Sequence, residues 1–432
     1  MKKPPFPRSS SRRHFLQTSA RLSALFATTR FPGIFAQGTP SQRVRIAVIG
    51  LNRGLAHLDS YVQLPDVEIV AVCDADERRI AAAIDRVFAK SGQRPAGVKE
   101  FRQVLERPDL DAVSLAMPNF WHAPATILAC SAGKHVYVEK PGSHNAREAE
   151  LIVAAARHHR RLVQMGNQRR SMPLFRQAID ELHAGVVGPL RSARCWYDAD
   201  RTSIGRGKST PIPAWLNYAQ WQGPVPDRPY VDNLVHYNWH WRWHWGGGEL
   251  ANNGIHTLDL ARWGLGVHRP KTVTCLGGRY HFNDDQETPD TLLAGYDFGT
   301  SSVTWDGSSC APRKAEAHPL VTFYGDGGSV ALGESQYTIV DLAGKTVRQM
   351  TGATDSLSHF SNFIQAIRGQ ATLNSEIEEG QRSTMLCHLG NLAWRTRAAL
   401  AIDIATGKLQ HATSEQQRLW SREYRRGWEP RV

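Results

Sequence analysis

Nowhere do the 432 residues hold the roughly 18 to 20 consecutive uncharged apolar positions that a membrane-spanning helix needs. A membrane span is therefore not expected. The six cysteines (Cys73, Cys130, Cys195, Cys275, Cys310, Cys387) show no CxxC or other short ligand spacing. That scatter argues against a zinc ribbon and against a disulfide framework, and no metal site is expected. Internal repeats and low-complexity tracts are missing too. Acidic residues are absent from positions 1 to 36, which hold seven Lys or Arg, so only +5 of the formal charge of +12 belongs to the rest. That remainder has no basic run with interleaved aromatics, the footprint of a nucleic-acid partner. What is present is a globular composition, 41% hydrophobic, in a chain long enough for two domains with full cores.

Residues 1 to 36 read as an address. SRRHFLQ, with adjacent Arg12 and Arg13, precedes a weakly apolar stretch from Leu16 to Ala36 and resembles a twin-arginine export signal. That route implies a periplasmic or otherwise exported protein. Because it carries folded proteins, it also implies a cofactor loaded beforehand and held tightly.

Residues 44 to 74 run strand, glycine turn, helix, strand. VRIAVIG ends at Gly50, LAHLDSYVQL suits a helix, and VEIVAVCD ends at Asp74, 24 positions after Gly50. That is about the interval at which a carboxylate at the tip of the second strand meets the adenosine ribose of a dinucleotide. Asp74 favours NAD over NADP, whose extra phosphate it would repel. The turn departs from G-x-G-x-x-G: Asn52 holds the second glycine's place, Arg53 follows, and Gly54 takes the close-packing role in a loop one residue shorter. DAVSLAMPN then places a strand before Pro118 and Asn119, and KHVYVEKP one before Glu139 and Lys140. Ligands of open parallel sheets gather outside such carboxyl ends. His122 lies three positions beyond Asn119, beside the same pocket, and Gln168 follows the strand RLVQMG that closes the first unit. The nucleotide domain is placed at 43–165, with room for a returning C-terminal helix, and the second domain at 166–432.

HYNWHWRWHWGGG, from His236 to Gly248, sets Trp239, Trp241, Trp243 and Trp245 at every second position. As a strand it would carry indoles on one face and Asn238, His240, Arg242 and His244 on the other. An i, i+4 pair on a strand lies about 13 Å apart, too far for one metal ion. A wall of core on one face and a sugar platform on the other fit the pattern, with His240, Trp241 and Arg242 as candidate substrate contacts; which face meets substrate stays open.

Taken in one order, GLNRGLAHL, VCD, MPNFWH, GKHVYVEKP, QMGNQRR and GGGELANNGIHTLDLARW resemble the Gfo/Idh/MocA oxidoreductases, in particular their exported bacterial branch. The resemblance implies an α/β protein: an N-terminal Rossmann domain, then a C-terminal α/β domain with an open, mostly antiparallel sheet that often serves in homo-oligomer contacts. It also implies that Lys140 is the catalytic lysine, His256 the acid/base histidine and Asp259 the acid three residues on. Asn252 replaces an Asp frequent in the family. Four residues before His256, it would share a helix face with the imidazole and orient it by a hydrogen bond.

The residue types fit alcohol oxidation, which needs a base for the hydroxyl proton and a cation near the developing alkoxide. His256 suits the first role and Lys140 the second, or Lys140 with a lowered pKa serves as base. The expected function is an NAD(P)-dependent oxidoreductase acting on a secondary hydroxyl of a sugar or sugar derivative. Two alternatives stand beside it: a redox-neutral NAD-dependent glycosidase or lyase working through a transient 3-keto sugar, and a non-catalytic sugar-binding protein.

Overall fold

The computed structural model describes residues 43–432, so the export-signal reading lies outside the described residues. Six parallel strands form the first sheet: β1 (Val44–Ile49), β2 (Val67–Cys73), β3 (Ala96–Val98), β4 (Ala112–Leu115), β5 (His135–Val138) and β6 (Val163–Met165). Their spatial order is β3-β2-β1-β4-β5-β6, the doubly wound arrangement whose direction reverses between β1 and β4. Both faces are covered, and the strands read accordingly as nearly unbroken apolar runs: every residue of β4 is buried.

Helices between the strands follow from local signals. Glu77–Ser91 starts at Asp76, whose side chain accepts from the Arg78 N–H, turns Ile80, Ala83 and Val87 inward, and stops at Gly92 with φ 70°. A helix from far along the chain, Leu357–Ile367, completes this domain: Phe360, Phe363 and Ile364 enter the core with Val48, Tyr61 and Tyr137. Phe360 stacks on Tyr137 with ring centroids 4.7 Å apart. Each such ring removed from water is worth about 1.5–3 kcal/mol, enough to dock an otherwise unpaired helix.

The second sheet has nine strands. They include β7 (Leu190–Asp198), β8 (Thr272–Gly278), β9 (Thr291–Asp297), β10 (Ser302–Ser308) and β11 (Val321–Gly325), with β7 at the centre between β10 and β11. β7 and β10 pair in parallel, and the other neighbours pair antiparallel. The helix Ile255–Leu265 lies on one face of this sheet, where Leu258 and Ala261 are fully buried and the Cys195 thiol of β7 meets the Thr257 carbonyl. The irregular stretch between β7 and Tyr218 returns to the first domain: Asn217 N–H donates to the Ala75 carbonyl and Glu77 N–H to Trp215.

One expectation is overturned. His236–Gly248 is not a strand: residues 232–237 turn, Asn238–Trp241 form a 3-10 helix, and residues 243–245 turn again. Most of its backbone bonds close locally, Trp239 N–H to Leu234, Arg242 N–H to Trp239 and Gly246 N–H to Arg242, and the one long-range acceptor, the Trp241 carbonyl shared by the Glu287 and Thr288 N–H groups, makes no ladder. Alternation in sequence therefore does not become two faces. Trp239, Trp241 and Trp245 are all buried, in different directions, while His240 stacks on Trp239 at 3.6 Å between centroids.

Candidate active site

The carboxyl ends of β1, β2, β4 and β5 open into a cleft of about 570 Å³, within the range of small-ligand pockets. Its floor starts at Gly50. With φ +86°, that residue takes a left-handed turn, and an added Cβ would sit 2.5 Å from the Ala116 carbonyl oxygen. The next helix, Gly54–Tyr61, carries no side-chain cap and no acid in its first turn. An uncapped helix start of this kind suits a phosphate anion. Asp74 closes the turn: its Oδ2 accepts from Leu51 N–H at 2.6 Å and its Oδ1 from Asp76 N–H at 2.9 Å. Burial raises its pKa, against the pull of those two bonds. Asn52 lines the cleft with its Oδ1 accepting from Arg79, and Arg53, Pro118, Asn119 and His122 line it as well. Gly54 packs under the turn, where a Cβ would come within 3.0 Å of Val48. These residues fit a dinucleotide.

His122 sits between the two loops of this cleft. Its ring nitrogens lie 2.6 Å from the Pro141 carbonyl and 2.7 Å from the Met117 carbonyl, and a neutral ring, with one N–H, donates to one of the two loops at a time.

Beneath Lys140 lies a buried polar chain. Glu139 Oε1 accepts from His57 Nε2 at 3.0 Å, Gln168 Nε2 at 3.1 Å and Arg53 Nε at 3.4 Å; Oε2 accepts from Lys140 N–H at 3.2 Å. Burial alone would raise the Glu139 carboxyl, but the His57 hydrogen bond and the Arg53 and Lys140 charges outweigh it and hold the group below the usual carboxylate range. His57 itself is lowered by burial, so a neutral ring donates through Nε2 and accepts from Ser114 Oγ at 2.9 Å. Sequence reasoning missed His57. It sits in an ordinary-looking helix, and nothing in its spacing points to a residue 82 positions away.

Lys140 and His256 line the same cleft. Lys140 Nζ donates to the Asn252 carbonyl at 2.7 Å and to Asn252 Oδ1 at 3.2 Å. Burial lowers the ammonium's pKa, Arg53 and Arg169 add to that, and Glu139 and Glu249 oppose it. His256 is lowered well below the ordinary imidazole range by burial and then by the Lys140 and Arg169 charges. The expected Asn252 bond to the imidazole is absent. Residues Leu250–Gly254 form a π-type turn just before the helix, and its wider winding takes 252 and 256 off the face an α-helical spacing would give them. Asn252 serves Lys140 instead.

Three further expectations are corrected. Asp259 does not reach the cleft: it is 2% exposed and its carboxylate is held by Arg170 at 2.8 Å and Ser383 at 2.6 Å, an ion pair within the core. Arg242 pairs with Asp285 at 2.9 Å, outside the cleft. Trp241 also lies outside it, buried beneath the Arg201 guanidinium at 4.0 Å. Of the proposed substrate contacts only His240 lines the cleft, its pKa pushed down to about 3 by burial. His236, Tyr237, Trp221 and Trp239 line it as well.

Residues 44–167 match the family model described as oxidoreductase family, NAD-binding Rossmann fold, and residues 196–430 match its C-terminal alpha/beta domain. The chain belongs to the Gfo/Idh/MocA oxidoreductase family. Among curated relatives, a glycosyl hydrolase family 109 protein of Shewanella pealeana is 30% identical over 167 residues, which take in 34% of this chain and 37% of that protein. Among solved structures, the WlbA dehydrogenase of Bordetella pertussis, in complex with NADH and UDP-GlcNAcA, aligns with TM-score 0.63 and 18% identity, covering 84% of this chain and 100% of that one. The aldose-aldose oxidoreductase of Caulobacter crescentus aligns with TM-score 0.65 and 16% identity, covering 84% and 100%. These likenesses share the Gfo/Idh/MocA fold. The N-terminal domain is of the NAD-binding Rossmann type, and the cleft opens at the carboxyl ends of its strands, the side on which open parallel sheets bind ligands.

Proposed function

We propose that the protein is an NAD-dependent oxidoreductase acting on a secondary hydroxyl of a sugar or sugar derivative, the nicotinamide, when bound, accepting or returning the hydride. One observation carries the reading: the Lys140 ammonium and the His256 imidazole line one dinucleotide cleft. His256, its pKa lowered well below the ordinary imidazole range and its ring without a hydrogen bond among the described residues, is free to take a hydroxyl proton. Lys140 spends two N–H bonds on Asn252, which aims the third at a developing alkoxide. Met117, Trp221 and Trp239 keep the walls apolar. NAD rather than NADP is supported by Asp74, and by Arg78 and Arg79, both already paired with Asp76.

The test is spectroscopic. Purified full-length protein should release a dinucleotide on denaturation, and a panel of sugars should change its reduced-nicotinamide absorbance in the native enzyme but not in Lys140→Met. No dinucleotide, or the same response in both proteins, would sink the reading. The glycosyl hydrolase name of the curated relatives favours a second reading, redox-neutral glycoside cleavage. Aryl-glycoside cleavage without net NADH formation would select it. Export by the twin-arginine route is part of the proposal: replacing Arg12 and Arg13 by Lys should hold the protein in the cytoplasm. So is a homo-oligomer, which sedimentation would reveal.

A further inference from the structure

Two parts of the chain wall the dinucleotide cleft. Trp121, on the helix Asn119–Ser131 of the first domain, belongs to one wall; Trp221, His236, Tyr237 and Trp239, on the segment between β7 and the helix Ile255–Leu265, make the other. The walls touch directly. Trp121 Nε1 donates to the Trp221 carbonyl at 2.8 Å, Phe120 packs T-shaped on Trp221 with ring centroids 5.4 Å apart, and His236 Nε2 lies 3.0 Å from Asp76 Oδ2. Motion of one wall against the other governs how fast a ligand leaves such a cleft.

The C-terminal residues from Arg422 to Trp428 cross between these walls, and none of them lines the cleft. Arg422 is fixed on the first domain: its guanidinium pairs with the buried Glu148 carboxylate at 2.6 Å and donates to the Phe120 carbonyl at 2.6 Å. The Tyr424 hydroxyl donates to the same carboxylate at 2.8 Å. Arg425 then reaches the other wall's segment. Its N–H donates to the Pro224 carbonyl at 2.9 Å, and its guanidinium donates to the Ala219 carbonyl at 3.2 Å and to the Asp227 carboxylate. Trp428 returns to the first domain, T-shaped on Trp121 with centroids 5.0 Å apart and covered by the Arg102 guanidinium at 3.8 Å. A tail docked for burial alone can lie on one body, whereas a tail bonded to both walls in turn resists their separation.

Trp121 carries that resistance to the cleft. It is 2% exposed and wedged between Phe101, Trp428 and Gly223, where an added Cβ would lie 1.9 Å from the indole. Removing the Trp428 ring frees the indole on one side.

We propose that Arg422–Trp428 is a strap that staples the two walls and sets how long the dinucleotide stays bound. Trp428 and Arg425 are positioning residues in it, acting through Trp121 and through the segment 219–227. The inference rests on the dinucleotide reading of the cleft, and it assigns slow exchange to the tail rather than only to direct contacts with the ligand.

Release of NADH from the full-length protein, followed by its fluorescence after excess NAD is added, tests this. Trp428→Ala should release NADH about tenfold faster than wild type, and Arg425→Ala severalfold faster. Trp428→Phe keeps an aromatic ring against Trp121 and should bring the rate back to within about twofold of wild type. Trp420→Ala controls for the loss of an indole. Trp420 belongs to the same tail, but it donates to Glu150 Oε1 at 3.1 Å, lies under the Lys408 ammonium and does not line the cleft, so release should keep the wild-type rate. Unchanged release in either Trp428→Ala or Arg425→Ala, failure of Trp428→Phe to restore the rate, or equal acceleration by Trp420→Ala would overturn the strap and leave the cleft assignment standing. A wild-type protein that binds no NADH would overturn both.

Discussion

Replacing Glu139 by Gln removes a charge from the centre of the polar chain while keeping its shape. The amide oxygen can take the place of Oε1 and keep the bonds from His57, Gln168 and Arg53. The amide nitrogen then falls where Oε2 accepted from Lys140 N–H at 3.2 Å, so two donors face each other. Leaving one buried donor unmet costs about 1–3 kcal/mol. The lost attraction to Arg53 adds little, because that side chain is 54% exposed. A total of about 2 kcal/mol should lower Tm by roughly 2–3 °C in a chain of this length, measured by scanning calorimetry without added dinucleotide. The pH dependence has a definite sign. The Glu139 carboxyl is depressed in the folded state, so its contribution is present above the ordinary carboxylate value of about 4.3 and is lost as pH falls toward the folded value. The gap between wild type and variant should therefore be constant from about pH 5 to 8 and shrink below about pH 4. Loss of the Glu139 charge should also lower the Lys140 pKa further, since that charge raises it. An unchanged Tm, or a gap that widens on acidification, would refute the assignment of Glu139 as the buried anion.

Gly50→Ala should weaken NADH binding at least about tenfold in a fluorescence titration, since left-handed backbone costs a residue with Cβ about 1–2 kcal/mol before the 2.5 Å clash with Ala116 is counted. Unaltered affinity would place the dinucleotide elsewhere. For the sugar reaction, the acidic limb of the rate profile should lie below the ordinary imidazole value of about 6.5, because protonation of His256 is displaced downward; His256→Gln should remove that limb and about 10²–10⁴ of the rate. A limb at or above 6.5 that survives the substitution would assign the base to another group. Asp259→Asn should cost about 3–5 kcal/mol in thermal stability by stranding Arg170, with turnover per folded molecule nearly unchanged. A rate collapse at wild-type Tm would return Asp259 to catalysis.

The strand, glycine turn, helix and acid of residues 44–74 were legible in the chain, as were the loops holding Pro118, Asn119, Glu139 and Lys140 and the helix that carries His256. Each of these is a demand made within a few residues: a left-handed turn only glycine meets freely, an apolar run, a fixed interval to a strand tip. Partners were not legible. The chain does not say that Asp259 meets Arg170 across 89 positions, that Asn252 holds Lys140 across 112, or that His57 lies under Glu139. Nor did the alternating tryptophans disclose that local hydrogen bonds would curl them into turns, splitting the segment between the dinucleotide cleft and a second cavity. Backbone geometry is set by neighbours in sequence, whereas a buried polar side chain takes whichever donor or acceptor the packing of two sheets delivers to it, and that pairing exists only once both sheets have formed.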